Sequence, residues 1–338
     1  MSGERPIIAL AMGDPAGISP ELTARLLASQ AVKQAAHLVV IGDRRVLDAG
    51  ARTASVEFHL AEVEAERLPG AASAEPQLID LRNLDPADVA IGQATPAGGA
   101  FATQNFAVAL RLANAGKVDA VCFTPFNKKA MRYAYPGYDD EIRFIADAIG
   151  FTGRAREFNV LDQVWNARVT SHIPLADVAR SITREAILSE LALTFETLRR
   201  AGIAAPRVAV AGLNPHAGDG GSFGREEIEI IAPAIAEASA QGMAAEGPFP
   251  PDTVFLTALK NGFHAVLTMY HDQGQIAMKL MGFDRGVTMV GGLPFPVCTP
   301  AHGTAYDIAN QGVADVGASE QALLLAARLA RANDRRAA

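Results

Sequence analysis

Short apolar runs alternate with stretches of helical periodicity along the chain, the pattern of an α/β protein. The first elements set the rhythm. Ile7 to Met12 reads as a buried strand, Ser19 to Ala28 as a helix and His37 to Ile41 as a second strand. Further strands are expected at Ala120 to Phe123, Ala167 to Ser171, Val208 to Gly212, Ala265 to Met269 and Val287 to Val290, with helices between most of them. Helical crossovers bring successive strands back in the same direction, so the sheet should be mainly parallel. A helix from about Arg225 to Gln241 opens on Glu226 and Glu227, charges that suit the positive end of a helix dipole, and stops at Gly242. The last helix, about Ser319 to Ala332, carries a core-facing stripe of Leu323, Leu324, Ala327 and Leu329. The segment Ala51 to Pro86 is rich in Ala, Glu and Pro with weak periodicity and reads as a variable edge.

With 338 residues and 49% hydrophobic side chains, the chain can bury the core of two domains or of one elaborated domain. A formal charge of −7 with scattered basic residues argues against nucleic acid as a partner. Only two cysteines are present, Cys122 and Cys298, which fits a reducing compartment, and the cytoplasm is the expected location. The N-terminal apolar run meets Gly13-Asp14-Pro15 too early for a signal-peptide core, and no run approaches the roughly 20 residues of a membrane span.

Neither GxGxxG nor GxxxxGK[ST] occurs, so a nucleotide would need another geometry. Three histidines each follow an apolar strand-like run: His172, His216 and His271. Ligand clefts of parallel sheets form at the carboxyl ends of strands, so the three can converge on one divalent ion, for which imidazole favours Zn, Co or Mn over Mg. Each can equally be a separate hydrogen-bonding or core histidine. The loop Asn214 to Gly221 is dense in glycine, which lets backbone approach a ligand closely. Asp272, beside His271, and Asp252 are carboxylates able to orient a metal-bound histidine or to take a proton; Asp252 is alternatively a helix N-cap. Lys128 follows a strand and can act as an acid or hold a carboxylate, and Lys279 falls about two helical turns beyond His271. His302-Gly303-Thr304-Ala305 is expected to open a helix and to offer free N–H groups to a nucleotide.

Gly13 to Glu21, Gly212 to Gly218, Pro251-Asp252-Thr253, Tyr270 to Gly274 and His302 to Ala305 together resemble, in order, the signature segments of the 4-hydroxythreonine-4-phosphate dehydrogenase family. The resemblance spans nearly the whole chain, and the His302 segment is also similar to the nucleotide loop of isopropylmalate dehydrogenases. It implies two α/β/α domains of the isocitrate and isopropylmalate dehydrogenase kind, a homodimer with its cleft near the subunit interface, and NAD, or else NADP, as oxidant. The expected division is a cofactor-side domain of residues 1–130 plus 295–338 and a middle domain of 131–294. The resemblance also implies that His172, His216 and His271 hold the metal (Zn, Co, Mn or Mg), and that Gly218, His302, Gly303, Thr304 and Ala305 lie on the cofactor side. Lys128 and Asp252 are then the candidate proton-transfer residues.

The substrate side departs from the family pattern. Where the family carries Gly-His-Thr-Glu, this chain reads Gly137-Tyr138-Asp139-Asp140-Glu141. Lys279 matches a family substrate ligand, but Thr288 stands for an Asn and Val297 for an Arg, which removes a bidentate anion clamp. Tyr138, Asp139, Lys279 and Thr288 are thus the expected substrate-side residues. The expected reaction is metal- and NAD-dependent oxidation and decarboxylation of a small hydroxy acid, with 4-hydroxythreonine 4-phosphate as reference substrate. The alternative is a dihydrodiol-carboxylate dehydrogenase of aromatic catabolism, of the terephthalate dihydrodiol type.

Overall fold

The computed structural model describes residues 5–68 and 75–337. Its strands are β1 (Ile7–Ala11), β2 (His37–Gly42), β3 (Ala61–Glu62), β4 (Gln77–Asp80), β5 (Ala120–Phe123), β6 (Arg156–Val160), β7 (Trp165–Arg168), β8 (Val208–Ala211), β9 (Ala245–Phe249), β10 (Ala265–Thr268), β11 (Val287–Gly291) and β12 (Val297–Pro300). The chain divides into two compact units, one of Met1–Arg156 with Val287–Ala338 and one of Glu157–Gly286. Among the described residues no helix is long and apolar enough to cross a membrane.

In the first unit the strands run in the order β3-β4-β2-β1-β5-β12-β11, all neighbours parallel except β11 with β12. Ala11 lies level with both Ile41 and Phe123, so the loops after β1, β2 and β5 leave from one edge. In the second unit the order is β6-β7-β10-β8-β9, parallel except for β6 with β7. Leu267 pairs with Ala167 on one side and with Val210 on the other. The ends of β7, β10 and β8 are therefore level, and the segments carrying His172, His271 and His216 leave from the same edge of three adjacent parallel strands.

The unit boundary falls at 156/157 rather than at 130/131, and the return at 286/287 rather than 294/295. The reason is packing. The helices Lys128–Ala134 and Glu141–Ile149 contribute Met131, Phe144 and Ile145 to the core formed by the helix Pro96–Asn114 and the first sheet, so this stretch belongs to the first unit. The Ala51 to Pro86 segment supplies the sheet edge through β3 and β4, its residues 69–74 lying outside those described. The helix expected from 225 to 241 is a π-helical turn, Glu227–Ile231, continued by an α-helix, Ala232–Ala240.

Candidate functional site

His172, His216 and His271 reach the strand-end edge of the second unit by three different local structures. His172 follows β7 in a bend with φ 51°, a left-handed backbone that side chains other than glycine rarely take. Beneath it lies Arg168, 4% exposed, whose Nε donates to Ser171 Oγ at 3.0 Å and whose Nη2 donates to Glu157 Oε2 at 2.7 Å. Arg168 also donates to Asn159 Oδ1, which accepts from Gln275 of the His271 helix at 2.8 Å. Burial pulls the Arg168 guanidinium below its usual range, against the opposing charges of Glu157 and Glu190. This buried network ties the two histidine-bearing segments together.

His271 opens the helix His271–Gly282, and its Nδ1 lies 2.6 Å from Asp272 Oδ1. That contact fixes the ring and leaves Nε2 as the nitrogen offered outward. The helix can start here because Gly274 sits directly on the buried Asn166 side chain; a Cβ at 274 would come within 2.1 Å of Asn166 Oδ1. Asn166 is occupied holding the strand ends, donating to Val266 O and to Thr268 Oγ1. Lys279 lies on the same helix, exposed, at the position the sequence implies.

His216 stands in a turn of five successive left-handed residues, with φ values of 53° at His216, 52° at Ala217, 82° at Gly218, 44° at Asp219 and 65° at Gly220. For each of His216, Ala217 and Asp219 this conformation costs about 1–2 kcal/mol. Gly218 is buried against Glu227, where a Cβ would lie 2.7 Å from Oε2, so its smallness serves the turn. Asp252 is exposed in the turn before the helix Val254–Asn261, whose N-cap position is Thr253, so the capping alternative does not apply.

The ring centroids of His172 and His271 are 5.5 Å apart. Two imidazoles sharing a tetrahedral ion at ordinary metal–nitrogen distance would have centroids about 5 Å apart, so this pair fits a shared divalent cation. Among the described residues no group of three His, Cys, Asp or Glu side chains within the chain is arranged to hold one ion.

In the first unit, Asp14 of the Gly13 to Glu21 segment and Tyr306 are joined by a bond from Tyr306 Oη to Asp14 Oδ2 at 2.5 Å. Burial pushes the Asp14 carboxyl above its ordinary range, against hydrogen bonds from Tyr306 and the Ala16 N–H that pull it down. Ile18 N donates to Thr304 O at 3.0 Å, clamping the two segments side by side. His302 to Ala305 do not open a helix. Ala305 (φ 44°) and Asn310 (φ 62°) break helical continuity, residues 302–316 run as turns, and the next helix begins at Gly317. His302 Nε2 is buried without a hydrogen-bond partner among the described residues, and open space lies where a Cβ of Gly303 would go. Both are features that suit a bound nucleotide. A cavity of about 230 Å³ lies beside the same segment, lined by Pro15, Gly17, Val46, Gly50, Ile91 and Asn310 among others.

The expected substrate-side residues divide. Tyr138 is fully buried with Tyr135 and Phe144 in the core of the first unit, which corrects its assignment to a substrate surface. Asp139 is exposed and paired with Arg143 Nη1 at 3.3 Å, and its carbonyl accepts from Lys128 Nζ at 3.3 Å. Asp140 caps the helix Glu141–Ile149 by accepting from Arg143 N. The two carboxylates thus have structural partners, and Arg143 with Lys128 places positive charge beside them. Neither Arg143 nor Arg168 stands out in the sequence. Thr288 is half-buried in β11, and Val297 is fully buried in β12, where an apolar side chain fits the core.

The family model for the pyridoxal phosphate biosynthetic protein PdxA matches residues 34–326. The chain belongs to the PdxA family. A Rhizobium meliloti (strain 1021) relative provisionally named 4-hydroxythreonine-4-phosphate dehydrogenase 2 is 68% identical over 97% of this chain and 94% of its own length. A Desulforapulum autotrophicum relative named 4-hydroxythreonine-4-phosphate dehydrogenase is 38% identical over 97% of this chain and 96% of its own. Among solved structures, the 4-hydroxythreonine-4-phosphate dehydrogenase of Klebsiella pneumoniae superposes with a TM-score of 0.85 at 35% identity, covering 98% of this chain and 99% of that one. A terephthalate 1,2-cis-dihydrodiol dehydrogenase from Burkholderia xenovorans LB400 is more distant, with a TM-score of 0.65 at 29% identity, covering 96% and 98%. This PdxA-family chain is thus an α/β protein of the dehydrogenase lineage that its signature segments imply.

Proposed function

We propose that this protein is a cytoplasmic, homodimeric dehydrogenase that uses NAD and a divalent metal ion to oxidise and decarboxylate 4-hydroxythreonine 4-phosphate, a step of pyridoxal phosphate biosynthesis. The observation that carries the reading is the convergence of the histidine-bearing segments at one edge of three level parallel strands, with His172 and His271 at a separation suited to a shared ion. Two of the three histidines sit in strained left-handed backbone, a feature that persists where surrounding structure enforces it and that clusters at functional sites.

His172, His216 and His271 are the residues that would hold a divalent ion, and such an ion would supply Lewis acidity to the substrate oxygens. The chain supplies the rest. Asp272 holds the His271 ring, Arg168 braces the His172 bend, and the His302 to Ala305 segment, tied to the Gly13 loop, receives the dinucleotide. Asp252 and Lys128 are the groups assigned to proton transfer, one taking the hydroxyl proton and one returning a proton to the carbon from which carbon dioxide departs; a bound nicotinamide would supply the hydride acceptor. Lys128, Arg143 and Lys279 supply positive charge for an anionic substrate.

The homodimer is supported by large apolar side chains exposed beside the histidines: Leu175 near His172, and Ile276 and Leu280 on the His271 helix. We propose that this face is the subunit contact and that histidines of both subunits complete the metal site. The dihydrodiol reading is disfavoured by the higher identity to relatives named for the phosphorylated substrate, and by the engagement of Asp139 and Asp140 with Arg143.

The deciding experiment follows NADH formation by metal-reconstituted protein with 4-hydroxythreonine 4-phosphate, beside a chelated control and a dihydrodiol dicarboxylate. Saturable reduction abolished by the chelator is the expected result. Turnover of the diol alone would replace this reading with the aromatic one.

A further inference from the structure

The left-handed turn carrying His216 needs something to hold it, and the structure identifies the holder. Glu227 is 2% exposed and lies at the start of the π-helical turn Glu227–Ile231. Its Oε1 accepts from Leu213 N and from Asn214 N, both at 2.7 Å, and its Oε2 accepts from Asn214 Nδ2 at 2.9 Å. The same carboxylate backs Gly218, and Oε1 lies 3.1 Å from where a Cβ of Gly212 would stand. Inside the turn, Ala217 N donates to Asn214 O at 3.1 Å and Phe223 N to Gly218 O at 3.1 Å, so Asn214 links the carboxylate to the strained residues. A buried carboxylate whose partners here are N–H donors of one loop fixes the orientation of those amides. The π-helical turn advances fewer degrees per residue than an α-turn, and such turns recur at functional sites.

We infer that Glu227 is a positioning residue: its carboxylate clamps the entry of the left-handed turn and thereby sets the direction of the His216 imidazole. It touches neither metal nor substrate. The inference rests on the reading of His216 as a metal ligand, and it extends that reading from the ligand to the residue that aims it. Outer-shell partners of metal ligands characteristically alter metal affinity by about 10–100-fold when removed.

The test uses Co²⁺ alone as probe on the full-length protein, with affinity from equilibrium dialysis, the visible d–d spectrum as a geometric signature, and amide hydrogen exchange across residues 212–218. Glu227→Gln keeps one acceptor oxygen for Leu213 N and Asn214 N but turns an NH2 toward Asn214 Nδ2; about tenfold weaker binding is expected. Glu227→Ala should weaken Co²⁺ by about 100-fold, shift its spectrum and speed exchange at Leu213 and Asn214, and Glu227→Gln should restore most of the protection. Should the alanine variant not fold, the glutamine variant alone decides the matter. Wild-type affinity and spectrum in Glu227→Gln, with exchange unchanged, would overturn the inference. His216→Ala separates the two levels: if it abolishes the Co²⁺ signal while Glu227→Gln leaves it intact, the ligand reading stands and the clamp falls; if His216→Ala itself leaves Co²⁺ binding unaltered, both fall.

Discussion

The segments carrying His271 and His216 leave neighbouring strands of one sheet and present the same side chain, yet they are built on opposite principles. His271 opens a regular helix, and its orienting partner, Asp272, is the next residue. His216 sits among five left-handed residues whose brace is a glutamate in the following helix. The first arrangement is local and conformationally inexpensive. The second stores strain of a few kcal/mol and depends on a buried carboxylate, so it is the more fragile of the two and the more closely directed.

The same substitution at both positions should give the same functional result and opposite structural ones. His216→Gly and His271→Gly should each lower turnover by about a thousandfold or more if both imidazoles hold the ion. In urea unfolding, His216→Gly should gain about 1 kcal/mol because glycine accepts φ 53° without a steric penalty. His271→Gly should lose about a few tenths of a kcal/mol, since His271 is the first residue of its helix and glycine there is only slightly less favourable than histidine. Equal destabilisation at both sites would show that the left-handed turn is not strained, and full activity in either variant would remove that histidine from the metal site.

Much of this comparison is legible in the amino-acid sequence itself. The ends of β8 and β10 can be read there because an apolar run closing on a polar, glycine-rich segment is a local signal, and both lie within a residue of the expected positions, whereas β7 ends at Arg168 rather than at the expected Ser171. Which charged residues are buried is not a local property. Arg168 and Glu227 look in the sequence like ordinary strand-end and helix-start charges; only tertiary packing makes them the supports of His172 and His216. Tyr138 misleads in the other direction, because its burial is decided by Phe144 and Tyr135 rather than by its neighbours in the motif. The His302 segment has the pattern of a helix start, and left-handed Ala305 and Asn310, neither of them glycine, give no warning otherwise.

A smaller effect tests the local arrangement. Asp272→Asn should preserve a hydrogen bond to His271 Nδ1 while removing the charge, and Asp272→Ala should remove both. Metal affinity should fall by about 10-fold in the alanine variant, and less in the asparagine one, with little change in unfolding midpoint because Asp272 is exposed. A drop as deep as that of His271→Gly would mean that Asp272 is itself a ligand.

The smallest effect, and the sharpest in sign, is in pH dependence. Burial works to raise the Glu227 carboxyl, but hydrogen bonds from Asn214 and Leu213 outweigh it and hold the group below its ordinary range. Its contribution to stability is therefore present above the usual carboxylate range and is lost as the pH falls through its lowered folded value. Asp14 is the reverse case. Burial raises its carboxyl, so the folded protein keeps the proton more readily than the unfolded chain does. That favourable contribution holds in acid and is lost as the pH rises through the raised value. Unfolding curves taken from acid to neutral pH should show Glu227→Gln falling progressively below wild type as the pH rises, while Asp14→Asn, whose amide oxygen can still accept from Tyr306, climbs above it. If both variants drift the same way, the two carboxylates do not differ in the way that burial and hydrogen bonding require, and the account of the His216 turn loses its electrostatic support.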